Sequence, residues 1–180
     1  MSASKKSKNL NMNLFLETDY VDFEDINNNF EIIDSKPFCV KSGFTIAKYQ
    51  QYILSNGNEN TPYGSETDVK WYYKVYNDKT FEMYAKIELT NLQCITAIGS
   101  LYRSGYVRVA IPSKYSDNTT FNIASVRDIK LSLSSDSYDW PVLTTRSSIN
   151  DYFTFRLVGP KAEKTSIYRQ IFLNVKGEIS

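Results

Sequence analysis

The alternation of side chains over residues 69–90 (VKWYYKVYNDKTFEMYAKIELT) constrains the fold more than any other feature of the chain. Apolar side chains occupy the odd positions on both sides of a polar break at residues 77–80. Period-two alternation around such a break predicts an antiparallel hairpin with one buried face. Odd residues must then face odd residues, so a pairing such as Val75 with Met83 satisfies the pattern. Because an isolated hairpin is marginally stable, we expect further strands to cover its buried side chains, Trp71, Tyr73, Phe81 and Ile87.

The composition is that of a folded protein built mainly from strands. Its 180 residues suffice for one domain of about 100–150 residues plus an appendage. Apolar residues make up 42% of the chain, and no apolar run approaches the roughly 18 residues of a membrane span. The 14% of aromatic residues, including 14 tyrosines, favours strands over a helical bundle. With a net charge of +1, we expect neither a nucleic acid nor a membrane surface as a partner.

The chain contains no histidine, and this absence excludes several kinds of catalytic site. Ser–His and Cys–His nucleophiles, imidazole general bases and histidine-containing zinc sites all require that residue. The sequence also lacks a P-loop, a G-x-G-x-x-G loop and a C-x-x-C pair. Residues 22–33 are acidic but lack the glycine of a calcium-binding loop. We therefore expect no catalytic residues, no cofactor and no metal. Because carboxylates that act as a pair can come from distant parts of the sequence, the scattered acids still leave a glycan-cleaving enzyme as one hypothesis.

The two cysteines and the start of the chain give an expectation about the compartment. Residues 1–8 carry charges with no apolar segment behind them, so we expect no secretory signal there. Cys39 and Cys94 lie in unlike sequence contexts. Both are therefore expected to be reduced, small, buried residues.

The first 36 residues are predicted to form an N-terminal arm and a short helix. Residues 1–10 are polar and carry Lys5, Lys6 and Lys8, which suits either a disordered end or an arm that anchors the chain to another protein. Residues 19–34 predict the helix. Its apolar residues Phe23, Ile26, Phe30 and Ile33 are spaced three, four and three positions apart, which places them in one apolar stripe, the helix seam. A helix this short requires a partner surface. Packing on its own domain and self-association of copies both remain open for the seam residues Phe23, Ile26, Phe30 and Ile33.

Residues 37–180 are predicted to form one antiparallel β domain. The pattern over residues 38–56 indicates one or two strands, with a short helix over residues 47–53 as an alternative, before a turn-rich segment at residues 56–64. Further alternation at residues 101–112, 121–133, 152–158 and 166–176 predicts more strands. Seven or eight strands without intervening helices favour a β-sandwich or jelly-roll-like knob. The fold class is thus mainly β, with an N-terminal arm and helix ahead of the knob.

The polar face of the predicted hairpin carries three tyrosines, Tyr72, Tyr76 and Tyr84, among lysines and glutamates. One interpretation is a surface that stacks against sugars or contacts another protein. The other is an outer face that a neighbouring strand or a second copy of the chain covers. We favour the second interpretation, a face covered by a neighbouring strand or a second copy, and tyrosine suits contacts between copies because it gives a large contact area at small entropic cost.

Four segments of the sequence resemble phage fibre proteins. The stretch DYVDFEDINNNFEIID matches an acidic, Asn-rich helix motif, D-F-x-x-x-N-x-N-F-x-x-I-D, found near the start of many tail and baseplate fibres. WYYKVYNDKTFEMYA resembles the aromatic hairpin of a C-terminal β domain in gut-phage fibres, with Lys79 in place of its turn glycine. AIGSLYRSGYVRVAIP and IFLNVKGEIS resemble two other strands of that domain.

The resemblance implies a virion component, assembled in the host cytoplasm and most often homotrimeric, whose β domain forms a knob. A chain of this length has room only for a short fibre or decoration protein. Its basic arm would dock on a capsid or baseplate protein, which favours a head fibre over a tail fibre. Host-surface glycans are a further expected contact of the knob. A monomeric carbohydrate-binding module remains the alternative.

Overall fold

The computed structural model describes residues 5–6, 13–14, 37–55, 58–115, 117–133, 139–146 and 151–180. The chain divides into two compact units, Met1–Phe38 and Cys39–Ser180. In the first unit, β1 (Lys5–Lys6) pairs antiparallel with β2 (Asn13–Leu14). The predicted helix lies outside the described residues, and so do the side chains of all the residues assigned to anchoring and to the helix seam, Lys5, Lys6, Lys8, Phe23, Ile26, Phe30 and Ile33.

The second unit is mainly β, as predicted, and its strands are antiparallel. Its described residues form nine strands: β3 (Cys39–Ser55), β4 (Asn58–Tyr76), β5 (Thr80–Cys94), β6 (Thr96–Ile98), β7 (Leu101–Ala110), β8 (Ile123–Leu133), β9 (Trp140–Arg146), β10 (Tyr152–Gly159) and β11 (Glu163–Ile179). Their order across the sheet is β8-β11-β5-β4-β3-β7-β10-β9, and β6 pairs with β7.

All nine strands belong to one sheet that nearly closes on itself like a barrel. The first and last strands in the order, β8 and β9, approach each other without pairing. A twisted sheet with this many strands curls, and it can then cover its own apolar face. The predicted sandwich or jelly-roll, which needs two sheets, differs from this arrangement.

The predicted hairpin is confirmed, with a different register. β4 pairs with β5 so that Tyr73 lies opposite Met83 and Val75 lies opposite Phe81. Odd residues face odd residues, as the pattern required. The suggested pairing of Val75 with Met83 is wrong by two residues, because the connecting loop is shorter than the polar break suggested.

A tight loop of three residues, Asn77 to Lys79, sets this register. The Lys79 N–H donates to the Tyr76 carbonyl at 3.1 Å, and Lys79 has a φ of 64°. A turn followed by one left-handed residue is a common three-residue hairpin connection. The Asp78 carboxylate accepts a hydrogen bond from the Thr80 N–H at 2.9 Å, which fixes the exit from the loop.

The core lies on the concave face of the sheet, and the hairpin supplies its centre. Trp71, Tyr73, Phe81 and Ile87 are each at most 3% exposed, as predicted. Alternate residues of β7, β10 and β11 complete the core. Burial of each such side chain contributes about 1.5–3 kcal/mol.

β3 is a single strand of 17 residues, so the alternative helix over residues 47–53 is wrong. Its middle pairs on both sides, with β4 and with β7, and Tyr49 lies opposite both Thr67 and Val109. These ladders override the weak local pattern. The predicted turn-rich segment also joins the sheet, because β4 begins at Asn58 and Ile53 lies opposite Thr61.

β9 was not predicted, because its sequence begins with Trp140 and Pro141 after a polar segment. Pro141 lies opposite Leu157 of β10. Proline lacks an N–H donor and therefore suits a strand at the end of the order.

An ion pair lies beside the gap between β8 and β9. Arg169 of β11 donates from Nη2 to Oδ2 of Asp139 at 2.9 Å. Their side chains are 14% and 2% exposed. A Cβ on Gly159 would lie 2.2 Å from Asp139 Oδ1, so the glycine makes room for this carboxylate.

Both cysteines are free thiols, but only one is buried. Cys94 lies in the core, with its Sγ 3.8 Å from the Leu157 carbonyl oxygen. Cys39 is exposed, so its predicted burial is wrong. It begins β3 and lies opposite Tyr76, at the end of the hairpin.

Candidate functional site

Four large aromatic side chains lie together on the convex side of the sheet, and we call this surface the aromatic face. Tyr72 is 54% exposed, Phe44 45%, Phe172 44% and Tyr84 38%. The ladders bring them together: Phe44 lies opposite Tyr72, which lies opposite Tyr84 on the next strand. Phe172 comes from β11, one strand further along the order. Exposed apolar surface of this kind marks interaction sites more often than inert surface.

A lysine covers part of the aromatic face. The Lys70 ammonium nitrogen lies 4.0 Å from the centre of the Phe44 ring and 5.0 Å from that of Tyr72. A cation at these distances is attracted to the electron-rich face of a ring. The lysine thus holds two aromatic side chains of neighbouring strands in one orientation.

The carboxylate of Glu82 accepts hydrogen bonds from two of the three candidate tyrosines, Tyr76 and Tyr84, and so orients their side chains. The Tyr84 hydroxyl donates to Glu82 at 2.5 Å, and the Tyr76 hydroxyl donates to it at 3.4 Å. Lys176 of β11 forms an ion pair with the same carboxylate. The hydrogen bond from Lys176 is the largest cause that lowers the pKa of Glu82. The hydrogen bond to Glu82 in turn raises the pKa of Tyr84.

A shallow groove runs along the aromatic face between β4 and β8. It has a volume of about 740 Å³, which falls within the usual range of roughly 300–1,000 Å³ for ligand sites. Tyr72, Tyr84 and Phe172 form its apolar wall, with Lys86 on its rim. Asn174 also lines the groove, and its buried Oδ1 accepts no hydrogen bond from the residues that the structure describes.

The sequence identified half of this surface. Tyr72 and Tyr84 lie directly opposite each other, while Tyr76 lies at the hairpin end and joins them only through Glu82. Phe44 and Phe172 were missed as parts of the same surface. Their even positions in alternating strands gave a signal for exposure. Their meeting with Tyr72 and Tyr84 depends on ladders between distant segments, which no local pattern encodes.

A second concave site lies further around the sheet, on β3, β7, β9 and β10, and we call it the tyrosine–arginine cleft. It has a volume of about 360 Å³. Sequence reasoning missed it, because its side chains come from four separate strands. Its main lining residues are Tyr52, Tyr106, Arg108, Tyr152, Thr154 and Arg156.

Stacked rings and two positive charges organise the tyrosine–arginine cleft. The Tyr52 and Tyr106 rings stack with their centres 4.1 Å apart. The Arg108 guanidinium carbon lies 4.1 Å from the centre of the Tyr152 ring. Burial is the main cause that raises the pKa of Tyr106, and the positive charges of Arg108 and Arg156 oppose that shift. Both guanidinium groups therefore act on the same tyrosine hydroxyl.

Comparison with protein-family models, with curated proteins and with solved structures found no match to this chain. Among the residues that the structure describes, no three acidic or cysteine side chains cluster in a way that could hold a metal ion. The same residues include no helix long and apolar enough to cross a membrane. The aromatic face, with its groove, and the tyrosine–arginine cleft are therefore the two candidate sites among the described residues.

Proposed function

We propose that this chain is a structural component of a phage virion, a short homotrimeric fibre or decoration protein without enzymatic activity, with Cys39–Ser180 as its knob. The observation that carries the proposal is the aromatic face, where four large aromatic side chains lie exposed on adjoining strands. The proposal that the chain forms a homotrimeric fibre of a virion comes from the resemblance of its sequence to fibre proteins.

Energetics support a role for the aromatic face in contacts between chains. Each aromatic residue buries about 150–250 Å² when fully covered. Covering the exposed part of one such residue would contribute about 2 kcal/mol at 25 cal/mol per Å². Four such residues would form the apolar centre of an interface, and the polar residues around them would have to supply the rest of its area.

The charges beside the aromatic face suit a second copy of the same chain. Lys74, Glu82, Lys176 and Asp128 occupy one row across β4, β5, β11 and β8. This row alternates in sign, and the whole chain has a net charge of only +1. In the head-to-tail contacts of a trimer, a row with both signs can place opposite charges of two copies together, whereas a surface of one sign repels its copy.

The attachment to the virion belongs to the same proposal. The helix seam Phe23, Ile26, Phe30 and Ile33 would join the copies, and the arm with Lys5, Lys6 and Lys8 would dock on a capsid or baseplate protein. A head fibre is favoured over a tail or baseplate fibre for the reasons given from the sequence. These parts rest on the sequence alone.

The mass of the purified chain in solution tests the proposal. We expect three times the mass of one chain by light scattering or native mass spectrometry. The double variant Tyr72→Lys and Phe172→Lys should shift the equilibrium from the trimer towards the single chain at the same protein concentration, while keeping the wild-type circular dichroism spectrum. Leu143→Lys is the matched control, because Leu143 is also 43% exposed but lies on β9. A wild-type protein that stays monomeric at high concentration would count against the proposal.

A monomeric carbohydrate-binding module is the second candidate, and the groove favours it. Tyr72 and Tyr84 offer ring faces there, and Asn174 offers a buried acceptor without a described partner. Aromatic faces with a few convergent polar atoms are typical of ligand sites. Glycan-array binding that Tyr72→Ala and Tyr84→Ala abolish, with an unchanged mass in solution, would support this candidate over the first.

A further inference from the structure

We propose that the tyrosine–arginine cleft binds a sugar acid, with Arg108 and Arg156 contacting its carboxylate and the tyrosine and threonine hydroxyls contacting its hydroxyl groups. The inference concerns a part of the sheet away from the hairpin, and it stands whether or not the chain is a fibre.

The positions of the two arginines carry the first step. Arg108 of β7 lies opposite Thr154 of β10, and Arg156 lies opposite Tyr106. The two arginines are therefore diagonal neighbours on one face, at a spacing of about 7–8 Å that long side chains can bridge. Two positively charged side chains on neighbouring strands of one face both attract an anion that lies between them.

The shape of the guanidinium group narrows the anion. Its planar fork of donors matches the two oxygens of a carboxylate. The Arg108 guanidinium carbon lies 4.1 Å from the centre of the Tyr152 ring, and this cation–π contact restrains the position of the group. Among the described residues that line the cleft, none is acidic. An incoming carboxylate therefore meets no like charge within the lining.

The neutral side chains of the cleft account for the rest of the ligand. Thr144 and Thr154 join their hydroxyls at 2.8 Å, and Tyr52 and Tyr106 stack beside them. Hydroxyl groups both donate and accept, which suits the hydroxyls of a sugar. A volume of about 360 Å³ lies at the small end of the range for ligand sites, which suits a single sugar acid.

Calorimetric titration of the full chain tests the proposal with five probes: the sugar acids glucuronate, galacturonate and N-acetylneuraminate, and, as comparisons, glucose and inorganic sulfate. We expect glucuronate to bind saturably, glucose not to bind and sulfate to bind more weakly than glucuronate. Equal binding of sulfate and glucuronate would overturn the assignment to a sugar acid. Absence of binding to glucuronate, galacturonate and N-acetylneuraminate alike would overturn the proposal as a whole.

Variants locate the binding site. Arg108→Gln and Arg156→Gln should each weaken glucuronate binding by about tenfold or more, since one lost charged contact is worth at least about 1.4 kcal/mol. Arg156→Lys keeps the charge without the fork and should lose less than Arg156→Gln. Arg127→Gln, at an exposed arginine of β8, should bind as the wild type does. Circular dichroism confirms that each variant is folded, and unchanged affinity in a folded Arg108→Gln or Arg156→Gln variant would overturn the assignment.

Discussion

Lys79 holds a backbone conformation that lysine seldom adopts. Its φ of 64° lies in the left-handed region, which costs a residue with a side chain about 1–2 kcal/mol relative to the right-handed conformation. The register of the central hairpin thus depends on a strained residue, held there by the pairing on both sides.

Replacing Lys79 with glycine should stabilise the protein. The relief of left-handed strain exceeds the greater entropy that glycine loses on folding, so we expect the free energy of unfolding to rise by about 0.5–1 kcal/mol. Urea denaturation measures it. Asn118→Gly is the matched control, because Asn118 has the same φ of 64° but asparagine tolerates it better and should gain less. A loss of stability in Lys79→Gly would contradict the strain argument.

Glu82 gives the fold a dependence on pH. Its pKa is lowered in the folded protein, chiefly by the hydrogen bond from Lys176. The resulting stabilisation is fully present above the ordinary value of 4.5 and is lost as the pH falls through the folded pKa.

In Glu82→Gln the fall in unfolding free energy on acidification should therefore be smaller than in the wild type. Some dependence should remain, because the pKa values of Asp78, Glu88 and Asp117 are lowered as well. Thermal denaturation between pH 7 and pH 3 measures the difference. Glu66→Gln, at an exposed carboxylate of β4, is the control. Identical acid profiles for Glu82→Gln and the wild type would show that the lysine contact contributes nothing.

At the scale of the strands, the buried pair of Asp139 and Arg169 ties the start of β9 to β11. Removing one member of a buried pair leaves the other charge without its partner, which costs about 3–5 kcal/mol. We expect Asp139→Asn to lower the free energy of unfolding by about 3 kcal/mol, as measured by urea denaturation.

A double variant and an exposed pair provide the comparisons for Asp139. Asp139→Asn combined with Arg169→Gln should cost less than the sum of the two single changes, because neither charge is then stranded. Lys48→Gln removes the exposed pair of Lys48 with Asp68 and should change stability by less than about 1 kcal/mol. Strict additivity of the Asp139 and Arg169 changes would mean that the pair does not couple these strands.

The sequence predicted those strands in which alternation is regular. β5 alternates regularly from Phe81 to Leu89 and β11 from Ile171 to Val175, so the buried residues of these stretches were identified in advance. Leu92 was missed, because the alternation of β5 changes phase after Leu89. β9 was missed, because Trp140 and Pro141 interrupt any pattern. The predicted register was wrong by two residues because a lysine at position 79 gives no sequence signal for a left-handed turn residue, whereas a glycine would have indicated the three-residue loop. The partners of Phe44 and Phe172 depend on which strands become neighbours, and this is decided by the closure of the whole sheet.

For the whole molecule, the gap between β8 and β9 should be the least protected part of the sheet. Among the described residues, each of these strands pairs on one side only, β8 with β11 and β9 with β10. β4 and β5 each pair on both sides. Local opening costs less where fewer ladders must break. We expect amides of β8 and β9 to exchange with deuterium about tenfold faster or more than those of residues 71–75 and 81–85. Equal protection in both regions would mean that the sheet opens as one unit.

The position of β11 governs when this fold can be completed. β11 is the last described strand in the chain, yet it lies between β8 and β5 and supplies the ladder partner of β8. During synthesis, β8 is therefore made before β11, and it has no ladder partner among the described strands until the residues up to β11 have been translated. The strand made last is thus inserted between two strands made earlier. A nascent chain stalled before β11 would expose the unpaired edges of β5 and β8 to chaperones.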